Sequence, residues 1–242
     1  MADTLCGWGE PGRVRYYVDN VAISVPKRDE QLGLLVDLLP WPTDAPLRVL
    51  DIGAGFGAIT EQFLTRYPHS SVTYLDGSAE MMKLARERLA KYGERVSLHL
   101  GDLAYPSWNE QVGGGYDAAV SGLAIHHISD ERKRALYAEV FAMLKPGGMF
   151  LNDDSILTPS LWQPRFEYLR YRYIQEREQA LRGTTRSIEE IAAERKARSG
   201  RHQSYKAPVR DQLEWLTAAG FESVDCFWKY LDHAIFGGIK AG

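Results

Sequence analysis

The stretch LRVLDIGAGFG, residues 47–57, decides the fold of this 242-residue chain. Leu47 to Ile52 is a short run of leucine and β-branched residues, which reads as a buried strand. It passes through Asp51 directly into Gly53, Ala54, Gly55, Phe56 and Gly57. Glycines let the backbone turn sharply and approach a ligand closely. Ala58 to Tyr67 then shows helical apolar spacing (Ile59, Phe63), and the first N–H groups of such a helix are free to meet an anion or a ligand. Gly53, Gly55 and Ala58 also satisfy the pattern G-x-G-x-x-G/A. The loop alone therefore points to a nucleotide-type cofactor without choosing among them.

Outward from this loop the same unit repeats. Val72 to Leu75 is a second strand ending at Asp76, and Ser78 is placed to N-cap a helix whose apolar face is Met81, Leu84, Ala85 and Leu89. Val96 to Leu100 makes a third strand, closing at Gly101-Asp102, and Tyr116 to Ser121 a fourth. Ser129 opens a helix with Leu136, Val140, Met143 and Leu144 facing inward. Pro146-Gly147-Gly148 closes it, and Met149 to Leu151 begins a fifth strand. Five alternations of strand and helix predict a parallel sheet with helices on both faces. After Asp154 the rhythm breaks. Residues 158 to about 207 are aromatic and arginine-rich without a strand candidate, and Ser187-Ile188-Glu189-Glu190 is a capping box, so at least two helices are expected here. Arg210 to Ala219, ended by Gly220, resumes the pattern. Val224 to Tyr230 and His233 to Ile239 lie too close in sequence for a helical crossover and should pair antiparallel.

The expected architecture is a doubly wound, mostly parallel seven-stranded α/β sheet with an antiparallel C-terminal hairpin and an inserted helical cap. Its segments are an N-terminal helical part (1–45), a Rossmann-like core (46–154), a helical cap or lid (155–207), and a helix with β-hairpin completing the core (208–242). A hydrophobic content of 45% and a charged content of 25% suit a globular core. Net charge is −3, with no long basic run to track a phosphate backbone, so nucleic acid is not an expected partner. Cys6 and Cys226 have no zinc-type spacing, and no metal site is expected. The first twenty residues lack the apolar core of a signal peptide, and about 18 consecutive apolar residues occur nowhere, so a cytoplasmic chain off the membrane is expected. The expected partner is a small molecule; a homodimer stays open.

Asp76 ends the second strand beside the glycine loop, where its carboxylate can accept from both ribose hydroxyls of an adenosine cofactor lacking a 2′-phosphate. Asp102 can accept from an adenine amino group, with Leu103 and Met81 sandwiching the ring. With Asp117 to Ile128 (DAAVSGLAIHHI) and Leu144 to Gly148 (LKPGG), these motifs resemble those of class I S-adenosylmethionine (SAM)-dependent methyltransferases. The resemblance is strong over 47–154, moderate over 209–240 and weak elsewhere. It implies SAM as cofactor and S-adenosylhomocysteine (SAH) as product, with Gly53 and Gly55 at the methionine moiety, Asp76 at the ribose and Asp102 at the adenine. Asp51, Ala54, Gly77, Ser78, Gly101, Ser121 and Gly122 complete the expected cofactor shell. Phe56 stands where smaller residues are frequent and should alter how the cofactor is covered. A nicotinamide-dependent oxidoreductase has only the shared loop in its favour, since Tyr-x-x-x-Lys occurs nowhere. A non-catalytic SAM-binding or regulatory protein stays open, because methyl transfer needs few catalytic residues.

His126 and His127 follow the fourth strand, and either is a candidate general base near neutral pH; the competing role is to hydrogen-bond the loop and orient the pocket. Substrate choice is expected in the insertion, where Phe166, Tyr168, Tyr171 and Tyr173 interleave with Arg165, Arg170, Arg172 and Arg177. Such a surface suits an anionic or aromatic acceptor. The blander reading is an amphipathic helix with solvated arginines. Tyr16, Tyr17, Lys27 and Arg28 are expected over the same opening.

Overall fold

The computed structural model describes residues 8–199 and 204–242; Cys6 lies outside them. Strands β1 (Arg48–Ile52), β2 (Ser71–Asp76), β3 (Val96–Leu100), β4 (Tyr116–Gly122), β5 (Leu144–Ser155), β6 (Glu222–Tyr230) and β7 (His233–Ile239) form one sheet. Their order is β3-β2-β1-β4-β5-β7-β6. The first five run parallel, and β7 pairs antiparallel with both β5 and β6. The seven-stranded architecture with its reversed terminal hairpin is the one the sequence predicts. The strand order reverses between β1 and β4, and in open α/β sheets the crevice at that switch is where ligands bind.

Helices α1 (Pro11–Ser24), α2 (Arg28–Asp37), α3 (Ala58–Arg66), α4 (Ala79–Leu89), α5 (Asp130–Met143), α6 (Gln163–Arg182), α7 (Ile188–Ser199) and α8 (Val209–Ala218) cover the sheet. Two hydrophobic clusters separate its faces. Leu50, Ile52, Leu75, Tyr137, Phe150 and Phe236 centre the one toward α5 and α8. Val49, Val72, Phe63, Val120, Leu151 and Ile235 centre the one toward α2 and α3. Alternate residues along each strand thus feed opposite cores, as the pleat requires.

One boundary differs from the sequence reading. β5 begins at Leu144, because Tyr116 pairs with Leu144 before the register shifts to Ala118 with Met149. The LKPGG segment is an irregularity within the strand rather than a loop before it; Gly147, at φ 77°, takes the left-handed conformation it needs. The capping box forms as read: the Glu190 amide donates to Ser187 Oγ, and the Ser187 amide to Glu190 Oε2. The α6–α7 pair has a small buried cluster of its own, Ile23 of α1 with Ile174 and Ile191, beside half-buried Tyr171.

Candidate active site

At the β1–β4 switch point a cleft opens, where open α/β sheets hold their ligands. Gly53, Ala54, Gly55 and Phe56 form one wall, and Asp76, Gly77, Ser78 and Met81 the next. Asp102 and Leu103 close the far end, and Gly122 to Ala124 with His127 and Ile128 lie opposite. Gly53 is obligatory there. Its φ is +66°, and a Cβ on it would overlap the Ala124 methyl, so the loop reaches this approach to the β4 end only without a side chain.

Asp76 is the electrostatic centre of the cleft. Its carboxylate accepts from the Gly55 amide at 2.8 Å and the Ser78 amide at 2.7 Å. Burial pushes its carboxyl up to about 6, opposed by those two hydrogen bonds. A carboxylate has about four acceptor positions, so positions remain for ligand hydroxyls. Ser78 accepts from the Met81 amide as N-cap of α4 and donates to the Trp8 carbonyl at 2.6 Å. Asp102 accepts from the Ala104 amide at 2.9 Å.

Three expected shell residues stand differently. Asp51 is fully buried off the cleft, accepting from Thr60 Oγ1 at 2.6 Å, and desolvation raises its carboxyl to about 7. Ser121 donates to the Ile52 carbonyl inside the sheet. Neither lines the cleft. Gly101 does not line it either; it packs closely under Leu75 and the Trp108 carbonyl. Phe56 does line it, with the Arg88 guanidinium over its face and Tyr17 at its edge.

The two histidines have different partners. His127 faces the cleft, and its Nε2 accepts from Trp8 Nε1 at 3.1 Å. His126 has its Nδ1 2.5 Å from Asp154 Oδ1, and Asp154 is 1% exposed. A buried carboxylate on Nδ1 orients the ring and leaves Nε2 as the proton acceptor. Adjacent Asp153 points to the opposite sheet face, where Arg28 Nη1 donates to it at 3.0 Å. Burial pushes the Asp153 carboxyl up to about 7, against the pull of Arg28. Arg28 and Tyr17, expected over the opening of the insertion, both line this cleft instead.

The remaining candidates divide. Tyr16 donates to Glu194 Oε1 at 2.8 Å and lies under the Arg198 guanidinium, so it ties α1 to α7 and does not line the cleft. Tyr168 is 40% exposed beneath Arg165, on the outer side of α6. Arg170 and Tyr171 line a second cavity. Sequence reasoning missed Trp8, Asp153 and Asp154. The acids carried a signal, because Asn152 to Ser155 is a polar run at the end of a strand that is otherwise apolar. Among the described residues no group of acidic, His or Cys side chains is arranged to hold a metal ion. No described helix is long and apolar enough to cross a membrane.

Switch-point cleft, glycine loop and strand-end acids define a Rossmann-like α/β protein built to hold an adenosine-type cofactor. The chain matches the model of a methyltransferase domain over residues 49–148. It is 31% identical over 112 residues to acetylserotonin O-methyltransferase of Gallus gallus, covering 46% of this chain and 31% of that protein. It is 25% identical over 235 residues to carboxy-S-adenosyl-L-methionine synthase of Chromohalobacter salexigens, covering 94% of this chain and 81% of that one. The fold is similar to that of an O-methyltransferase family protein from Burkholderia thailandensis, with a TM-score of 0.64 at 16% identity over 98% of this chain and 64% of that one. The chain spans about a third to a half of the length of the first curated relatives it matches.

Proposed function

We propose that the protein transfers a methyl group from SAM to a small-molecule acceptor, with the cofactor in the switch-point cleft. The observation that carries this is that Gly53, Gly55, Asp76, Met81, Asp102 and Leu103 all line one cleft. That set of residues suits a methionine chain, a ribose and an adenine. When bound, SAM supplies a sulfonium methyl that a nucleophile can attack. Asp76 would hold the ribose hydroxyls, Asp102 the adenine amine, and Arg28 with Tyr17 would close the glycine-loop end. For an O–H or N–H acceptor, His126 Nε2 is the proton acceptor favoured by its partner, and Asp154 would stabilise the imidazolium formed. His127 is less suited to that role, because Trp8 occupies its Nε2. Holding the acceptor in line with the methyl supplies the larger share, within about 7–11 kcal/mol available from proximity and orientation.

A second reading rests on the relative matched over nearly the whole chain, whose name gives carboxy-S-adenosyl-L-methionine as its product. On that reading the bound nucleoside is a carboxylated SAM. The test is calorimetric titration with SAM, SAH and NAD, with mass spectrometry of nucleoside released from purified protein. SAM or SAH binding tighter than NAD is expected. Tighter NAD binding sinks the methyltransferase reading, and a released nucleoside heavier by one carboxylate selects the second. SAM binding without turnover of labelled methyl across an acceptor panel favours a non-catalytic SAM-binding protein.

A further inference from the structure

A second cavity, with about 1,520 Å³ of empty space, lies between α6, α7, the β5 extension at Ile156–Thr158, residue 206 and the β6–β7 turn. Its charged lining is unbalanced: Arg170, Arg195, Lys196 and Lys206 face two carboxylates, Glu167 and Asp232, an excess of two positive charges. Arg170 and Lys206 share the single carboxylate of Asp232. Arg195, half-buried, has no carboxylate within ion-pair distance among the described residues. The rest of the wall is apolar or aromatic, with Ile156, Leu157, Phe166 and Tyr171.

Burying like charges around an empty space is costly unless a counter-charge joins them. The strain is visible on three of them. Desolvation and the neighbouring arginines press the Lys206 ammonium down to about 8, and Arg170 and Arg195 are also pressed below their ordinary values, chiefly by burial. His233 is 2% exposed and held neutral by burial and by the charges of Arg170 and Lys206. A folded chain keeps such an arrangement where an anion is to be received.

The candidate base, His126, lines neither the cleft nor this cavity but is linked to the cavity wall. Ile156, on that wall, lies two residues beyond Asp154, and the Tyr205 amide, next to Lys206, donates to the His126 carbonyl at 2.7 Å. We infer that this cavity seats the acceptor, and that the acceptor is a dianion, a phosphomonoester or a dicarboxylate, on an apolar or aromatic body. Arg195, Arg170 and Lys206 take the anionic group, Phe166 and Tyr171 flank the body, and the methyl-accepting atom reaches past His126 toward the cleft. The inference rests on the methyltransferase reading only in naming the occupant an acceptor; the anion site stands on the cavity itself.

The test titrates the full chain, with and without SAH, with phenyl phosphate, phthalate and neutral benzamide. At least one dianion is expected to bind ten or more times more tightly than benzamide, and which one does identifies the anionic group. Arg195→Gln and Lys206→Gln should each weaken that dianion about tenfold and leave SAH affinity unchanged. Equal binding of all three probes overturns the inference, as does a dianion affinity that survives both substitutions. Should a variant fail to fold, the salt dependence of dianion binding to the unaltered chain decides: affinity insensitive to salt overturns it. Failure of SAH to bind, with dianion binding intact, counts against the cofactor reading and leaves the anion site standing.

Discussion

Replacing Asp76 with alanine probes the cofactor cleft at its most constrained group. Two of the carboxylate's acceptor positions are filled by the Gly55 and Ser78 amides. A ribose diol would fill the other two. Hydrogen bonds to an ionised group contribute about 1.5–3 kcal/mol. The variant should therefore bind SAH roughly ten- to a hundredfold more weakly. The pH response gives a second reading. Burial sets the carboxyl near 6 in the free protein, and a ligand whose hydroxyls donate to the carboxylate favours its ionised form. Affinity is then complete above about pH 7 and falls as pH drops through 6, by at most about tenfold per unit. His127 and Asp102 also face the cleft and stay in place in Asp76→Ala, so the difference between the two profiles isolates Asp76. Calorimetry from pH 5 to 8 is the assay. A variant that binds SAH within twofold of the unaltered protein, with the same pH profile, would refute the ribose assignment.

Asp51→Asn should flatten the pH dependence of stability. The unfolded carboxyl loses its proton near 3.8 and the folded one near 7, so this group costs stability progressively as pH rises from about 4 to 7; the variant should gain melting temperature at pH 8 relative to pH 5, and an equal shift at both pH values would count against the buried-carboxyl account. His126→Ala, assayed once an acceptor is known, should lower kcat by about 10²–10⁴-fold with SAH affinity within twofold; a parallel loss of cofactor binding would make His126 a structural residue. Arg28→Gln leaves Asp153 buried without its cation and should cost about 3–5 kcal/mol in chemical denaturation; full recovery is not expected, but Arg28→Gln with Asp153→Asn should regain part of the loss, and no recovery would mean the pair does not act together. Amides of residues 163–199 should exchange faster than those of the strands and slow when SAH and the tighter-binding dianion are both present; equal strong protection with and without ligand would make α6–α7 fixed structure and not a lid.

The cleft-lining acids are legible because each sits at the end of its own strand. Asp76 and Gly101-Asp102 each follow a hydrophobic run, and that run fixes both the element and the end at which the acid emerges. The loop glycines are legible for the same reason. The residues that local pattern misplaces are those whose side chains point away. Asp51 is one residue from a strand end, and pleat alternation sends it into the face covered by α3, where Thr60 meets it. The LKPGG irregularity reads as a loop because proline and glycine punctuate the pattern equally in a bulge and in a turn. Elsewhere around the cleft the contributors come from far apart. Arg28 meets Asp153 across 125 residues, and Trp8 meets His127 across 119. No local periodicity reports a pairing of that range.

Asp153 and Asp154 show how one strand can serve both halves of the site. Successive side chains alternate faces, so two adjacent acids must serve different partners. Asp153 meets Arg28 on the α2 side, and Asp154 meets His126 on the other. What fixes which acid goes where is the register of β5 on β7, with Asp153 opposite Ile235 and Asp154 opposite Ala234. That register is held by hydrophobic burial at a distance from the chemistry. Phe150 and Leu151 on β5, and Ile235 and Phe236 on β7, are fully buried and divide between the two cores. A slip of one residue would expose both cores to the wrong face and exchange the two carboxylates. Arg28 would then face a side chain that no longer neutralises it, and His126 would lose the group that orients it. The apolar residues of the terminal hairpin, which touch no ligand, are therefore what assigns one carboxylate to the cofactor cleft and the other to the candidate base.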